Sequence, residues 1–476
     1  IFQNQGKGTK LSLSIEHIRR MGFVDALNLE RIRRKRIVGV STDSRKIRKG
    51  EIFFAIKGGR FDGHDFVSSS FKKGAVACVV NFEWFEKNKE KFKTKILIAV
   101  EDTLKALGKL ANVYRKDFDI PVIAVAGSNG KTTTKEMIAF VLGQKYKVLK
   151  SEGNLNNQIG VPLTLFRLRK SHQVAVIEFG TNHFGEVRYL CEVAEPDHGL
   201  ITNIGREHIE FFGDVEGVAR EEGSLFDYLY ETGGFVFVNI DDPYLRRMGE
   251  KFKNRITFGF AEDADVRGEI VDVDDFARVK FKVRFDGKEQ ILKLKIPGEH
   301  LVMNAISAFA VGLKFGVSAN LIKKALQSYK PFSKRMEILK VKGITIINDT
   351  YNANPDSVIA SLKTLVQMKC SGKKIAVLGD MLELGSYAEE AHREIGRKVV
   401  EFGIDYLFTY GSDMHYAYEV ASDLIKHSMH FDDKDLLAYH LFEVVEKGDI
   451  VLVKGSRGMQ MEDVVEKFVN KIKGLA

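Results

Sequence analysis

Short apolar runs alternating with amphipathic stretches set the pattern of this chain, and they fall into three blocks. In the first, runs at 52–56, 75–80 and 96–100 read as short strands, and 103–116 has the 3.6-residue spacing of an amphipathic helix. The second block opens at Pro121. Apolar runs at 122–126, 174–177, 199–203 and 235–239 are separated by helical patterns, which predicts a parallel sheet with helices on both faces. The stretch 265–296 differs: it alternates with period two through Val279, Phe281, Val283 and Phe285 around Asp286-Gly287, and reads as a β-hairpin inserted in the α/β block. A helix at 304–315 follows. The third block starts near Phe332 and repeats the strand–helix theme at 344–347, 374–378, 406–409 and 450–453. The pattern contains no solenoid repeat and no apolar stretch long enough to span a bilayer.

The strand at 122–126 runs directly into Gly127-Ser-Asn-Gly-Lys-Thr-Thr133, followed by a helical pattern. This order is that of a phosphate cradle. Gly127 and Gly130 let backbone N–H groups face an anion, Lys131 supplies a point charge to the outer phosphates, Thr132 can hold Mg²⁺, and the helix N-terminus adds its dipole. A full P-loop has a further glycine where Val125 stands, so the loop is a shortened variant.

Other polar residues gather at strand ends. The segment 154–165 is dense in amides (Asn154, Asn156, Asn157), which bind polar substrate groups without adding charge. Glu178 ends an apolar run beside the phosphate loop, where a carboxylate is placed to hold Mg²⁺. His208 follows the next strand in Asn203-Ile-Gly-Arg-Glu-His208. In the third block, Asp349-Thr-Tyr-Asn-Ala-Asn-Pro355, Gly379-Asp-Met-Leu-Glu-Leu-Gly385 and Lys454-Gly-Ser-Arg457 each follow a strand, so one sheet edge should face the nucleotide loop with a ligand surface.

Composition narrows the class. A chain of 476 residues, 44% hydrophobic and 29% charged, is a globular protein of two to four domains. Its net charge of +9 suits an anionic substrate and reads mainly as a solvated Lys/Arg surface, so no nucleic-acid partner is expected. Three scattered cysteines, Cys78, Cys191 and Cys370, have no metal spacing and suggest a reducing cytoplasm. Residues 1–10 are polar and glycine-containing, without the apolar core of a signal peptide.

Taken in order, the phosphate loop, the amide-rich segment, Glu178-Phe-Gly-Thr-Asn-His183, Asn203–His208, His300-Leu-Val-Met-Asn304 and Asp349–Pro355 resemble the Mur ligase family along nearly the whole chain. Within that family the motifs at 352–357 and 379–385 are most similar to the last-acting member, which adds a dipeptide. The Asn-Pro-Arg motif usual in the preceding ligase, which adds a diamino acid, is not found. The resemblance implies an α/β fold of three domains. These are a small UDP-substrate domain at 1–119, a central P-loop-type ATPase domain with the hairpin insertion at 120–331, and a Rossmann-like domain for the amine at 332–476. It implies ATP and Mg²⁺ as cofactors, a UDP-N-acetylmuramoyl-tripeptide and D-alanyl-D-alanine as substrates, and a monomer. By resemblance, Gly127, Ser128, Asn129, Gly130, Lys131, Thr132 and Thr133 hold ATP, with Asn304 on the adenine side and Arg335 and Asp349 closing over it. Thr132 and Glu178 hold one Mg²⁺, and His208 helps with a second. Ser44, Arg45, Asp62 and His64 belong to the uridine region, and Asn154, Asn156, Asn157, Asn352 and Asn354 contact substrate. Family members commonly carry a carbamylated lysine in the helix after the histidine motif. Here 218–225 places Glu222 there, which implies a permanent carboxylate in its stead. The preceding Mur ligase, a folylpolyglutamate synthase and a non-catalytic ATP sensor stand as alternatives.

Overall fold

The computed structural model describes residues 13–474 except Arg60 and Phe332. The polar stretch at 1–10 and the proposed block boundary at Phe332 lie outside the described residues. Among those described, the strands form three sheets, each largely parallel and flanked by helices.

The first sheet orders its strands Asp25–Leu27, Leu97–Val100, Ala77–Asn81, Glu51–Phe54 and Gly39–Ser41, with only the Asp25–Leu27 edge antiparallel. The helix Thr103–Arg115 starts on an Asp102 cap, whose carboxylate accepts from the N–H groups of Leu104 and Lys105. This helix belongs to two blocks at once. Leu107, Leu110, Ala111 and Tyr114 share one continuous buried core with Ile52, Phe54 and Ile98 of the first sheet and with Leu165, Leu190 and Val193 of the central block. Tyr114 Oη donates to Leu168 O at 3.0 Å, and Asn112 and Arg115 donate to carbonyls at 192–195.

The central sheet runs Lys288–Pro297, Arg278–Phe285, Val266–Val273, Arg255–Gly259, Phe235–Asn239, His198–Ile201, Val122–Ala126, Val174–Glu178 and Val148–Lys150. The hairpin at Asp286-Gly287 is present, with both residues at positive φ (+43° and +68°), as its tight turn requires. It is not a separate insertion, however. Val266–Val273 joins it as a third strand, pairing antiparallel with Arg278–Phe285 and parallel with Arg255–Gly259, so the hairpin extends the main sheet. The period-two side chains Val279, Phe281, Val283 and Phe285 pack against Phe309 and its neighbours on the helix His300–Lys314.

The third sheet orders Glu337–Val341, Ile344–Asp349, Ile450–Lys454, Lys374–Gly379, Tyr406–Tyr410 and His427–Phe431, parallel except for its first strand. Two cores cover its faces, and one of them takes in Ala277 of the central block. The strands Asp25–Leu27 and Val148–Lys150 escape the sequence pattern because they are short, and Glu337–Val341 because it is an only partly buried edge strand.

Candidate active site

Val122–Ala126 lies between His198–Ile201 and Val174–Glu178, so three neighbouring strands end at one edge. They deliver the phosphate loop, Asn203 and Glu178 to the same place, where open α/β sheets bind ligands. Gly127 has φ +108°, and a Cβ there would sit 2.4 Å from Thr202 Oγ1. Gly130 has φ +80°, and a Cβ there would meet Asn304 Oδ1 at 2.8 Å. Both positions therefore require glycine.

The first half of the loop is tied to protein rather than open to an anion. Gly127 N–H donates to Glu222 Oε2 at 2.8 Å, Ser128 N–H to Asn203 O at 2.9 Å, and Asn129 N–H to Asn203 Oδ1 at 3.0 Å. The N–H of Gly127 itself is thus committed to Glu222. N–H groups without an intrahelical acceptor lie one step later, where residues 130–133 open the helix Lys131–Leu142, and such groups suit an anion.

Lys131 Nζ contacts both carboxylate oxygens of Glu207, at 2.9 and 3.1 Å. Burial alone would lower its pKa, but Glu207 and Glu222 outweigh that and raise it, so the ammonium is firmly charged. Glu222 is fully buried beneath the loop, with Oε1 lacking any hydrogen-bond partner. Burial raises its pKa to about 8; Lys131 opposes the shift and Glu207 adds to it.

Thr132 Oγ1 donates to Glu178 Oε1 at 3.0 Å, and Asn156 Nδ2 donates to the same oxygen at 3.0 Å. Glu178 Oε2 is buried without a hydrogen bond, 3.4 Å from the Lys135 ammonium. An orphaned carboxylate oxygen beside a hydroxyl is a hard oxygen donor set and fits one Mg²⁺. His208 Nδ1 is paired with Glu383 of the third block, Glu222 lies under the loop, and no group of three His, Cys, Asp or Glu comes together among the described residues.

The third block supplies the opposite wall. A cavity of about 690 Å³ is lined by Lys131, Thr132, Glu178 and Asn304 on one side and by Asn352, Asn354 and Arg457 on the other. Arg335 lies over the Tyr351 ring, 3.8 Å from its centroid, and donates to Thr132 Oγ1 at 2.9 Å. Asp349 also lines the cavity and is held by its neighbours. Its carboxylate accepts from Lys454 Nζ (2.6 Å), Ser361 Oγ (2.7 Å) and Met336 N–H (3.1 Å), which fixes the turn carrying Arg335. Asn354 caps the helix Pro355–Gln367 and donates across the gap to Asn129 Oδ1 at 2.9 Å.

Several expected residues lie elsewhere. Asn156 and Asn157 line the cavity, but Asn154 does not. Ser44, Arg45, Asp62 and His64 also lie outside it. Asp43 holds Arg45 in a local turn. Asp62 accepts from the His64 N–H, and the buried His64 ring bridges Asp62 and the Asn81 N–H.

Residues not singled out from sequence complete the closure. Arg206 donates to Asp356 through its backbone N–H (2.9 Å) and its guanidinium (2.7 and 3.0 Å), and also pairs with Glu394. Arg206, Glu207 and His208 thus grip the third block, Lys131 and the third block in turn. Such a half-buried cluster contributes roughly 1–2 kcal/mol, above the ~0–1 of an isolated exposed pair. Arg206→Ala is expected to enlarge the radius of gyration in small-angle scattering. An unchanged radius would show that the cluster does not hold the walls together.

Comparisons with known proteins agree with this architecture. The Mur ligase family catalytic domain model matches residues 36–115, the Mur ligase middle domain 125–312, and the Mur ligase glutamate ligase domain 334–457. The UDP-N-acetylmuramoyl-tripeptide–D-alanyl-D-alanine ligase of Bacillus subtilis is 37% identical over 439 residues, covering 91% of this chain and 93% of its own. This chain belongs to the Mur ligase family. The Escherichia coli ligase of the same name is 34% identical over 438 residues, covering 90% and 92%. Among solved structures, MurF from Acinetobacter baumannii superposes with a TM-score of 0.87 at 30% identity, covering 97% of this chain and all of that one. MurF ligase from Thermotoga maritima in complex with ADP gives 0.80 at 28% identity, covering 92% and 98%. Family membership accounts for the position of the phosphate loop at the central switch point and for the third domain facing it.

Proposed function

We propose that this Mur ligase joins D-alanyl-D-alanine to the terminal carboxylate of a UDP-N-acetylmuramoyl-tripeptide, converting ATP to ADP and phosphate as a monomer in the cytoplasm. The observation that carries this reading is the single cavity in which the phosphate-loop wall (Lys131, Thr132, Glu178) faces the polar strand ends of the third block. Near full-length similarity to relatives named for that reaction supports it. No helix among the described residues is long and apolar enough to cross a membrane, and all three cysteines are unpaired.

In this proposal residues 1–119 hold the uridine nucleotide, 120–331 hold ATP, and 332–476 present the amine. The tripeptide carboxylate attacks the γ-phosphate, giving an acyl phosphate and ADP. The dipeptide amine then attacks the acyl carbon and phosphate leaves. Carboxylate and triphosphate repel, so the first step needs positive charge where they meet. Lys131 supplies it from the central domain and Arg335 from the third. ATP must displace Glu207 from Lys131. A Mg²⁺ held by Thr132 and Glu178 would add charge neutralisation at the phosphates. Asn304, packed under Gly130, borders the nucleotide on its far side. Closure through Arg206 and Asn354 keeps water from the acyl phosphate.

Phosphate release should require ATP, the UDP-tripeptide and D-alanyl-D-alanine together. Release with a UDP-dipeptide and a diamino acid, and none with the dipeptide amine, would overturn the assignment.

A further inference from the structure

The strand Ile450–Lys454 ends in Lys454-Gly-Ser-Arg457, and the reaction above leaves Arg457 without a task. Its backbone is held firmly. Ser456 N–H donates to Asp380 O (2.9 Å), Ser456 Oγ donates to Ala353 O (3.1 Å) and accepts from Leu382 N–H (2.9 Å), and Arg457 N–H donates to Asn352 Oδ1 (3.1 Å). The side chain is not held in the same way: it lines the cavity and is 58% exposed. Among the described residues its guanidinium donates only to Glu462 Oε1, at 2.6 Å. That oxygen also accepts from Lys334 Nζ at 3.0 Å, so Arg457 can turn away without leaving Glu462 unpaired.

The other cations of the cavity are committed. Lys131 faces Glu207 and the phosphate site, Arg335 lies on Tyr351 and Thr132, and Lys454 is 4% exposed between Asp349 and Asn352 O. The amine substrate, on the reaction proposed above, is a dipeptide whose amino group must stay free to react. Its two methyl groups offer no polar handle, so its terminal carboxylate is the one ionised group left to recognise. A guanidinium on a rigid stem with unused N–H donors matches a carboxylate bidentately.

We propose that Arg457 binds the C-terminal carboxylate of the incoming dipeptide and so sets the enzyme's preference for a free acid at that end. The assignment rests on the reaction proposed above.

The test compares D-alanyl-D-alanine with D-alanyl-D-alaninamide as the amine, in the parent enzyme, Arg457→Lys and Arg457→Gln, with melting temperatures for each. A site built around a charged pair rejects the partner that lacks the charge. The parent is expected to favour the acid over the amide by about 100-fold in kcat/KM. Arg457→Gln should raise KM for the acid by roughly 30-fold or more and leave KM for the amide and for ATP within about twofold, which collapses the preference. Arg457→Lys should fall between. If Arg457→Gln keeps the parent's preference, or loses acid and amide turnover equally, Arg457 is not the carboxylate partner. If the parent releases no phosphate with either amine, the proposed reaction fails and this assignment with it; failure of the variant comparison alone leaves that reaction standing.

Discussion

Lys131→Ala is expected to abolish ATP-dependent phosphate release and to lower the melting temperature as well. The first effect follows from charge: without Lys131 the triphosphate and the attacking carboxylate lose their nearest cation, which should cost at least ~10³ in kcat/KM, about 4 kcal/mol. The second was not evident until the geometry was known. The ammonium sits between Glu207 and the fully buried Glu222, and removing one member of such a cluster leaves uncompensated charge at a cost of about 3–5 kcal/mol at most. Adding Glu207→Gln to the alanine variant should recover most of the melting temperature and none of the turnover. Near-parental turnover in the single variant would remove Lys131 from the chemistry. An unchanged melting temperature would show that the two carboxyls take up protons without penalty.

Glu222→Ala should lower turnover by tenfold or more through the loop it supports, since Gly127 N–H loses its acceptor and a buried donor is left unpaired. Because a glutamate needs no CO₂, parental activity should be insensitive to bicarbonate removal. If Glu222 also serves a metal, the alanine variant will need more Mg²⁺; an unchanged Mg²⁺ requirement confines it to the loop. The pH dependence separates Glu222 from an ordinary acid. In the folded chain its pKa is raised to about 8, by burial and by Glu207 against the pull of Lys131, while in the unfolded chain it sits in the usual carboxylate range. Between those limits the folded state holds a proton that the unfolded state has lost, so this group's contribution to stability falls as pH rises through that window. Urea midpoints measured at pH 5.5 and 8 should fall further in the parent than in Glu222→Gln. Equal slopes would show that Glu222 is ionised throughout.

The order of elements was legible because buried strands of a parallel sheet are continuous apolar runs. Val122–Ala126, Val174–Glu178 and Ile450–Lys454 are wholly buried and stand out accordingly. The residues at their ends were legible for the same reason: a polar side chain just after such a run has a fixed address. Arg206 and Glu207 had none, since a charged residue inside a loop shows no period, and their partners lie 150 and 76 residues away in sequence. Glu222 did leave a signal of its own. It falls on the apolar stripe Val218, Leu225, Phe226 and Leu229 of its helix, where a carboxylate must be buried. Asp62 and His64 sit in a turn built by side-chain hydrogen bonds, which has the same composition as a polar binding loop, so the pattern alone does not separate the two.

The helix Thr103–Arg115 buries one side on the first sheet and the other on the central block. That continuous core ties the first sheet to the central block just before Asp119. The third sheet meets the central block in a smaller share of core, at Ala277 and Val273. In the reaction proposed above, the first two domains carry both anionic substrates and the third carries the amine. On that proposal nucleotide and acceptor are expected to settle first, and the amine to arrive last with the wall that closes over them.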